Sequence, residues 1–257
     1  MTSTAPAFWK DRFQASGIHL CISVLLAALA GALVFGLWYP YPYRDISGGR
    51  ELFWLLVCVD VVLGPLITLA IFDRRKSTRV LMRDLAVVGL IQLAALGYGL
   101  WTVFVARPVY LVFEYSRFVV VHAVDVPQDM MHLAPVELRT LPLAGPQLLS
   151  LRPFKSNKEM MDATLAALQG ATLSARPDLW QSYVAGKAEI LQVAKPVDAL
   201  RSRFPAQTGD IDAAMAATAR KPGSLVYVPM ASRKSFWTVL LDPVTAEVMG
   251  FVPLDSF

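Results

Sequence analysis

The sequence predicts a membrane protein: three N-terminal transmembrane α-helices followed by an α+β soluble domain with an antiparallel sheet and a helical insert. Three observations carry that reading. The 257 residues are 55% hydrophobic and only 17% charged, with a mean hydropathy of +0.48, too apolar for an ordinary globular chain. The apolarity is concentrated before Arg107 in three long runs almost free of charge, and most of the charge follows. Beyond that point short β-branched and aromatic runs flank an Ala-, Leu- and Met-rich middle. The length therefore divides into a membrane unit, residues 1–106, and one domain of ordinary size, residues 107–257.

The first run, Gly17 to Trp38, is about 22 residues long and carries no formal charge apart from a possible one on His19. It is long enough to cross a ~30 Å hydrocarbon layer. A cleaved signal peptide would have a core of only about 7–15 residues and a small-residue cleavage site. This run ends instead in Trp38-Tyr39-Pro40-Tyr41-Pro42-Tyr43, an aromatic interfacial belt with prolines that stop the helix. The second run, Leu52 to Phe72, and the third, Leu85 to Val105, are each about 21 residues, a bilayer thickness at about 1.5 Å per residue.

The flanks set the orientation. Lys10 and Arg12 precede the first run, and Arg74, Arg75, Lys76, Arg79 and Arg83 crowd the loop between the second and third. The Tyr39 to Glu51 loop balances Arg44 and Arg50 with Asp45 and Glu51. The positive-inside rule then makes the N-terminus and the basic loop cytoplasmic, and three spans place everything after Arg107 on the far side. In a bacterium this is the inner membrane with a periplasmic domain. The net charge of +4 is explained by this topology and calls for no nucleic-acid partner. Cys21 and Cys58 both lie inside apolar runs and read as small buried hydrophobes, neither a disulfide nor a metal pair.

In the soluble domain, Val109 to Phe113 and Phe118 to Val124 read as two strands joined by a turn at Glu114-Tyr115-Ser116-Arg117. Residues from Asn157 to Ala219 give helical segments separated by Gly170, Pro177, Pro196 and Pro205. Ser224 to Met230, Ser235 to Leu241 and Ala246 to Val252 read as a meander turning at Asp242-Pro243-Val244-Thr245. Strands, helices and strands in that order suggest an antiparallel sheet with the insert on one face. The closing segment, Phe251 to Phe257, either completes the sheet or offers an edge to a partner strand.

Gly17-Ile18-His19-Leu20 opens the first helix, Trp38-Tyr39-Pro40 closes it, and Asp60-Val61-Val62-Leu63-Gly64-Pro65-Leu66-Ile67-Thr68 lies in the second. Asp84-Leu85, Gln92, Ala95-Leu96 and Tyr98-Gly99 follow in the third, then Arg107-Pro108-Val109, Leu111-Val112-Phe113 and Arg117-Phe118. Together these segments resemble the TfpX/TfpZ family of type IV pilin accessory proteins. The second half matches only in general character, and a turn such as Asp242 to Glu247 would commonly carry Gly where Ala246 stands. The resemblance implies a non-enzymatic helper that acts on a cognate type IV pilin, with other pilus-assembly inner-membrane proteins and the lipid bilayer as further partners.

The candidate partner-binding residues are Asp60, Gly64, Pro65, Thr68, Gln92, Tyr98 and Gly99. A carboxylate at the depth of Asp60 costs about 2.5–3.5 kcal/mol by insertion scales, so something should compensate it. Pro65 lacks an N–H and presses on the carbonyl of Val61, so the helix should kink there. Asp60 either grips a partner helix or bonds internally, with Tyr98 at matching depth the candidate brace. Gln92 and Thr68, nearer the cytoplasmic face, either meet an acidic residue of a pilin helix or bond to each other. The small-residue pair Ala95 and Gly99 permits close helix approach without saying whose.

Enzyme signatures are missing. The soluble domain has only His122 and His132, no cysteine and none of the hydrolase, zinc-protease or phosphate-loop motifs. His122 reads as a packed strand residue and His132 as a loop residue, and no cofactor, metal or catalysis is expected. A membrane-anchored ligand sensor is the second reading, but its cytoplasmic parts would be a short N-terminus and one short loop. A periplasmic hydrolase assembled from scattered residues is the third.

Overall fold

The computed structural model describes residues 5–168, 170, 172–218 and 224–257. Its contacts separate two units: the chain up to Leu37 with Gly49–Val105, and Trp38–Gly48 with Ala106–Phe257.

The first unit is helical. Helix α1, Ala5–Leu33, runs into a π-helical turn at Val34–Trp38. After the short α2, Tyr43–Ile46, the second span is built from α3, Gly49–Cys58, a π-turn at Val59–Leu63, and α4, Gly64–Ile71. Helix α5, Thr78–Val105, is the third. Trp9–Trp38, Gly49–Ile71 and Thr78–Val105 are each long and apolar enough to cross a membrane. Leu25, Leu55, Leu90 and Ile91 are 61–70% exposed, an apolar surface suited to lipid. The break expected at Pro65 takes the form of the π-turn just before it. Widening the helix there relieves the proline ring's pressure on the preceding turn.

The second unit is a sheet domain. Its strands are β1, Pro108–Glu114, β2, Arg117–His122, β3, Gln147–Leu151, β4, Trp180–Ser182, β5, Lys195–Pro196, β6, Val226–Ala231, β7, Phe236–Leu241, and β8, Val248–Val252. Among the described residues they form one sheet in the order β4-β3-β1-β2-β6-β7-β8, with β5 also on β6. The sheet is mixed, which corrects the antiparallel expectation. The β1–β2 hairpin and the β6–β7–β8 meander are antiparallel, but β1 pairs with β3 and β2 with β6 in parallel. Short turns force reversal, whereas the long connections entering β3 and β6 bring a strand back in the same direction.

Helices cover both faces, which corrects the expectation of an insert on one face. On one, Ile190 of α7, Lys187–Val193, joins Phe113, Phe118, Val228 and Val239. On the other, α8, Val197–Arg203, and α9, Thr208–Ala217, bury Leu200, Ile211 and Met215 against Tyr227, Leu240 and Val252. Helix α6, Asn157–Leu168, opens the insert, and Ala219, at the end of the expected helical stretch, lies outside the described residues.

The loop between the first two spans is part of this domain. Tyr43 and Ile46 of α2 are 7% and 0% exposed within the sheet core. Tyr43 meets Phe251 edge-on at 6.0 Å, Tyr41 meets Trp237 at 6.1 Å, and the Ile46 carbonyl accepts the Lys234 N–H at 3.3 Å. The tyrosines read as an interfacial belt are thus partly core. The Asp242 turn forms as expected, with Oδ1 accepting the N–H groups of Val244 and Thr245 and Ala246 taking φ +59°. That left-handed position is where glycine would be the common choice.

His122 is 1% exposed with Nδ1 3.4 Å from the Asp125 carboxylate, itself paired with Arg233. Burial pushes its imidazole below the usual 6.5. His132 sits on a 3₁₀ turn, its Nδ1 2.7 Å from the Asp129 carbonyl. Because folding holds His122 neutral, the unfolded chain binds the extra proton as pH falls below about 6.5, and stability drops in that window. The urea midpoint of the detergent-solubilised chain should fall between pH 7.5 and 5, and His122→Gln should flatten that slope.

Candidate functional site

The helical unit carries an open cavity of about 460 Å³ bordered by all three spans. Most of its wall is aliphatic, but His19, Ser23, Asp60, Thr68 and Gln92 also line it. His19 Nδ1 stands 2.5 Å from Thr68 Oγ1, tying the first span to the second. The Ser16 hydroxyl donates to the Pro65 carbonyl at 2.9 Å and makes a second tie.

The third span is joined at the break. In a π-turn the Asp60 carbonyl reaches toward position 65, where proline has no N–H to give. Gln92 Nε2 donates to that carbonyl at 3.4 Å, a long bond. It approaches across Gly64, where a Cβ would collide with the Gln92 amide. Glycine at 64 therefore follows from the need to bring a polar side chain onto the backbone. Asp60, Gly64, Pro65, Thr68 and Gln92 are thus gathered around one broken turn.

Tyr98 and Gly99 are placed differently. With Asp60 they line a second cavity of about 300 Å³ between the second and third spans. Gly99 admits Leu56, whose Cδ1 would lie 2.7 Å from an added Cβ. Tyr98 is 70% exposed, its ring 5.9 Å from that of Trp101. It makes no bond to Asp60, so the expected brace is absent, and the Gln92–Thr68 bond gives way to the separate partners described above. Asp60 is 8% exposed, with no hydrogen-bond partner at its buried Oδ1.

Sequence reasoning left His19 and Ser16 off the candidate list. His19 is the only residue of the first apolar run that ordinarily titrates near neutral pH, which is the signal that could have found it. Its partner, 49 positions away, could not have been named without the fold.

Three helices apolar enough to cross a membrane, around a largely aliphatic cavity with a few polar side chains, followed by a mixed-sheet domain, define a class of protein suited to membrane association. Comparison with known proteins sharpens that class. The chain is 33% identical over 254 residues to a fimbrial assembly protein of serogroup I from Dichelobacter nodosus, covering 96% of this chain and 98% of that one. The serogroup E1 protein of the same organism is 32% identical with the same coverage. A shorter relative, named for serogroups C1 and C2, is 37% identical over 124 residues, 47% of this chain and 95% of the relative. The family model for fimbrial assembly protein FimB matches residues 7–48. No solved structure matches the chain. The chain belongs to the fimbrial assembly protein family.

The His19–Thr68 contact should be measurable. Thr68→Val keeps the shape and removes the hydroxyl, and a cycle with His19→Ala, followed by thermal unfolding in detergent, should give a coupling of about 0.6 kcal/mol, the average for such bonds in membranes. Additive effects would show that the two side chains do not interact.

Proposed function

We propose that this chain is a non-enzymatic accessory factor of type IV fimbrial assembly, of the TfpX/TfpZ kind, that holds its cognate pilin laterally in the inner membrane. The observation that carries this is the match to fimbrial assembly proteins along 96% of the chain. The relatives' name supplies the process, and the helical unit supplies a means. Its spans carry a cavity with polar side chains at bilayer depth, where a passing helix can be recognised by contacts unavailable from lipid. The broken turn from Asp60 to Thr68, with Gln92, is the proposed contact region, and Tyr98 and Gly99 border a second one.

The basic loop supports the orientation. Arg74, Arg75 and Lys76 lie between the second and third spans and Arg79 in the first turn of the third, favouring a cytoplasmic loop and a periplasmic C-terminal domain. In that arrangement the domain faces the globular heads of membrane-held pilins. A chaperone and an assembly modulator would both use this geometry.

Two tests follow. A reporter active only in the periplasm should work when fused after Phe257 and be silent between Arg75 and Arg79; activity at the basic loop would overturn the orientation. Cells lacking the protein should display fewer surface fimbriae at unchanged pilin transcript. His122→Gln and His132→Ala should restore them as well as wild type does. Complete loss at normal abundance for either variant would argue for chemistry in the domain.

A further inference from the structure

Inside hydrocarbon a polar group left without a partner is disfavoured, because no water can replace the missing bond. His19, Thr68 and Gln92 each have a partner within the protein. Asp60 is different: the residue is 8% exposed, its Oδ1 is buried without a hydrogen-bond partner, and it borders the larger cavity of the helical unit.

The cavity-facing part of this carboxyl can be met by something that enters the cavity, and the chemistry limits what that is. A lipid acyl chain fills apolar volume but carries no donor. A whole helix does not fit, since three turns of a ~10 Å wide helix occupy roughly 1,300 Å³, against about 460 Å³ available. The side chains from one face of a helix do fit. Ile22 and Leu93 line the cavity and are 53% and 58% exposed, so it opens to the lipid side of the unit.

We propose that the larger cavity seats side chains from one face of a partner's membrane-spanning helix, and that a hydrogen-bond donor on that face meets the Asp60 carboxyl. This rests on lateral capture of pilin and adds the chemistry by which the partner is recognised. The donor is a hydroxyl, amide or amine at the depth of Asp60. The apolar wall supplies contact area, and the single polar bond sets the register of the bound helix.

The test uses the full chain in its native membrane, co-produced with its pilin. Photo-crosslinkers at Ile22 and Leu93 should trap the spanning helix of pilin, and mass spectrometry should place a donor-bearing residue within one helical turn of the trapped position. Replacing that pilin residue by an apolar one of similar size should cut the yield about tenfold, the worth of one hydrogen bond to a charged group. Asp60→Leu at equal abundance should do the same, whereas Asp60→Asn, which keeps an acceptor oxygen, should stay within about threefold of wild type. If Asp60→Leu does not accumulate, the pilin-side substitution decides alone. Undiminished trapping with Asp60→Leu, or a trapped segment with no donor nearby, would overturn the proposal while leaving lateral capture intact. Pilin trapped only by probes at Leu55 and Tyr98 would overturn the choice of cavity, and a second copy of this chain at Ile22 and Leu93 would overturn the choice of occupant. Lipid adducts alone at every span position would remove lateral capture itself.

Discussion

The absence of water around the spans is the constraint on which the helical unit depends. Every polar group carried into hydrocarbon must find its partner in protein. Pro65 violates helix geometry and leaves backbone groups to be satisfied. The π-turn at Val59–Leu63 takes up the steric misfit, Ser16 reaches the Pro65 carbonyl, and Gln92 reaches the Asp60 carbonyl over Gly64. His19 on Thr68 then closes the first span onto the same turn. One broken helix thus organises three. The Asp60 carboxyl is the group this arrangement leaves incomplete at Oδ1, and the functional reading grows from it.

A second constraint acts on the loop after the first span. Tyr43 and Ile46 are buried in the sheet core, so the chain leaves the helical unit after Leu37, packs a short helix into the other unit, and returns at Gly49. Together with the exit after Val105, the two units are joined covalently at three places. The FimB match, residues 7–48, covers the first span and all of this loop.

The spans were legible in the sequence because hydrocarbon thickness fixes their length, and the β6–β7–β8 meander because its strands mix β-branched and aromatic residues and its Asp242 turn is short. Strand direction was not legible. Whether β3 returns parallel to β1 is decided by a long connection whose path has no local signal, and β3, Gln147–Leu151, is brief and only partly β-like. The candidate residues of the broken turn were visible as polar or helix-breaking residues in an apolar run. Their partners were not. Counting residues from a membrane face gives depth but not azimuth: Asp60 and Tyr98 do line one cavity, yet the Tyr98 ring is turned outward. Of the tyrosines after Trp38, Tyr39 and Tyr43 are buried while Tyr41 stays exposed, since aromatics suited to a membrane boundary are equally suited to a core.

The central claim is that pilin is recognised within the bilayer by its helix. The most direct measurement is energy transfer in nanodiscs between the labelled full-length chain and a synthetic peptide of the pilin spanning helix without its globular head. The account predicts saturable transfer that unlabelled peptide competes away and that a scrambled helix of equal hydropathy does not reproduce. Transfer no greater than that of the scrambled helix would contradict it.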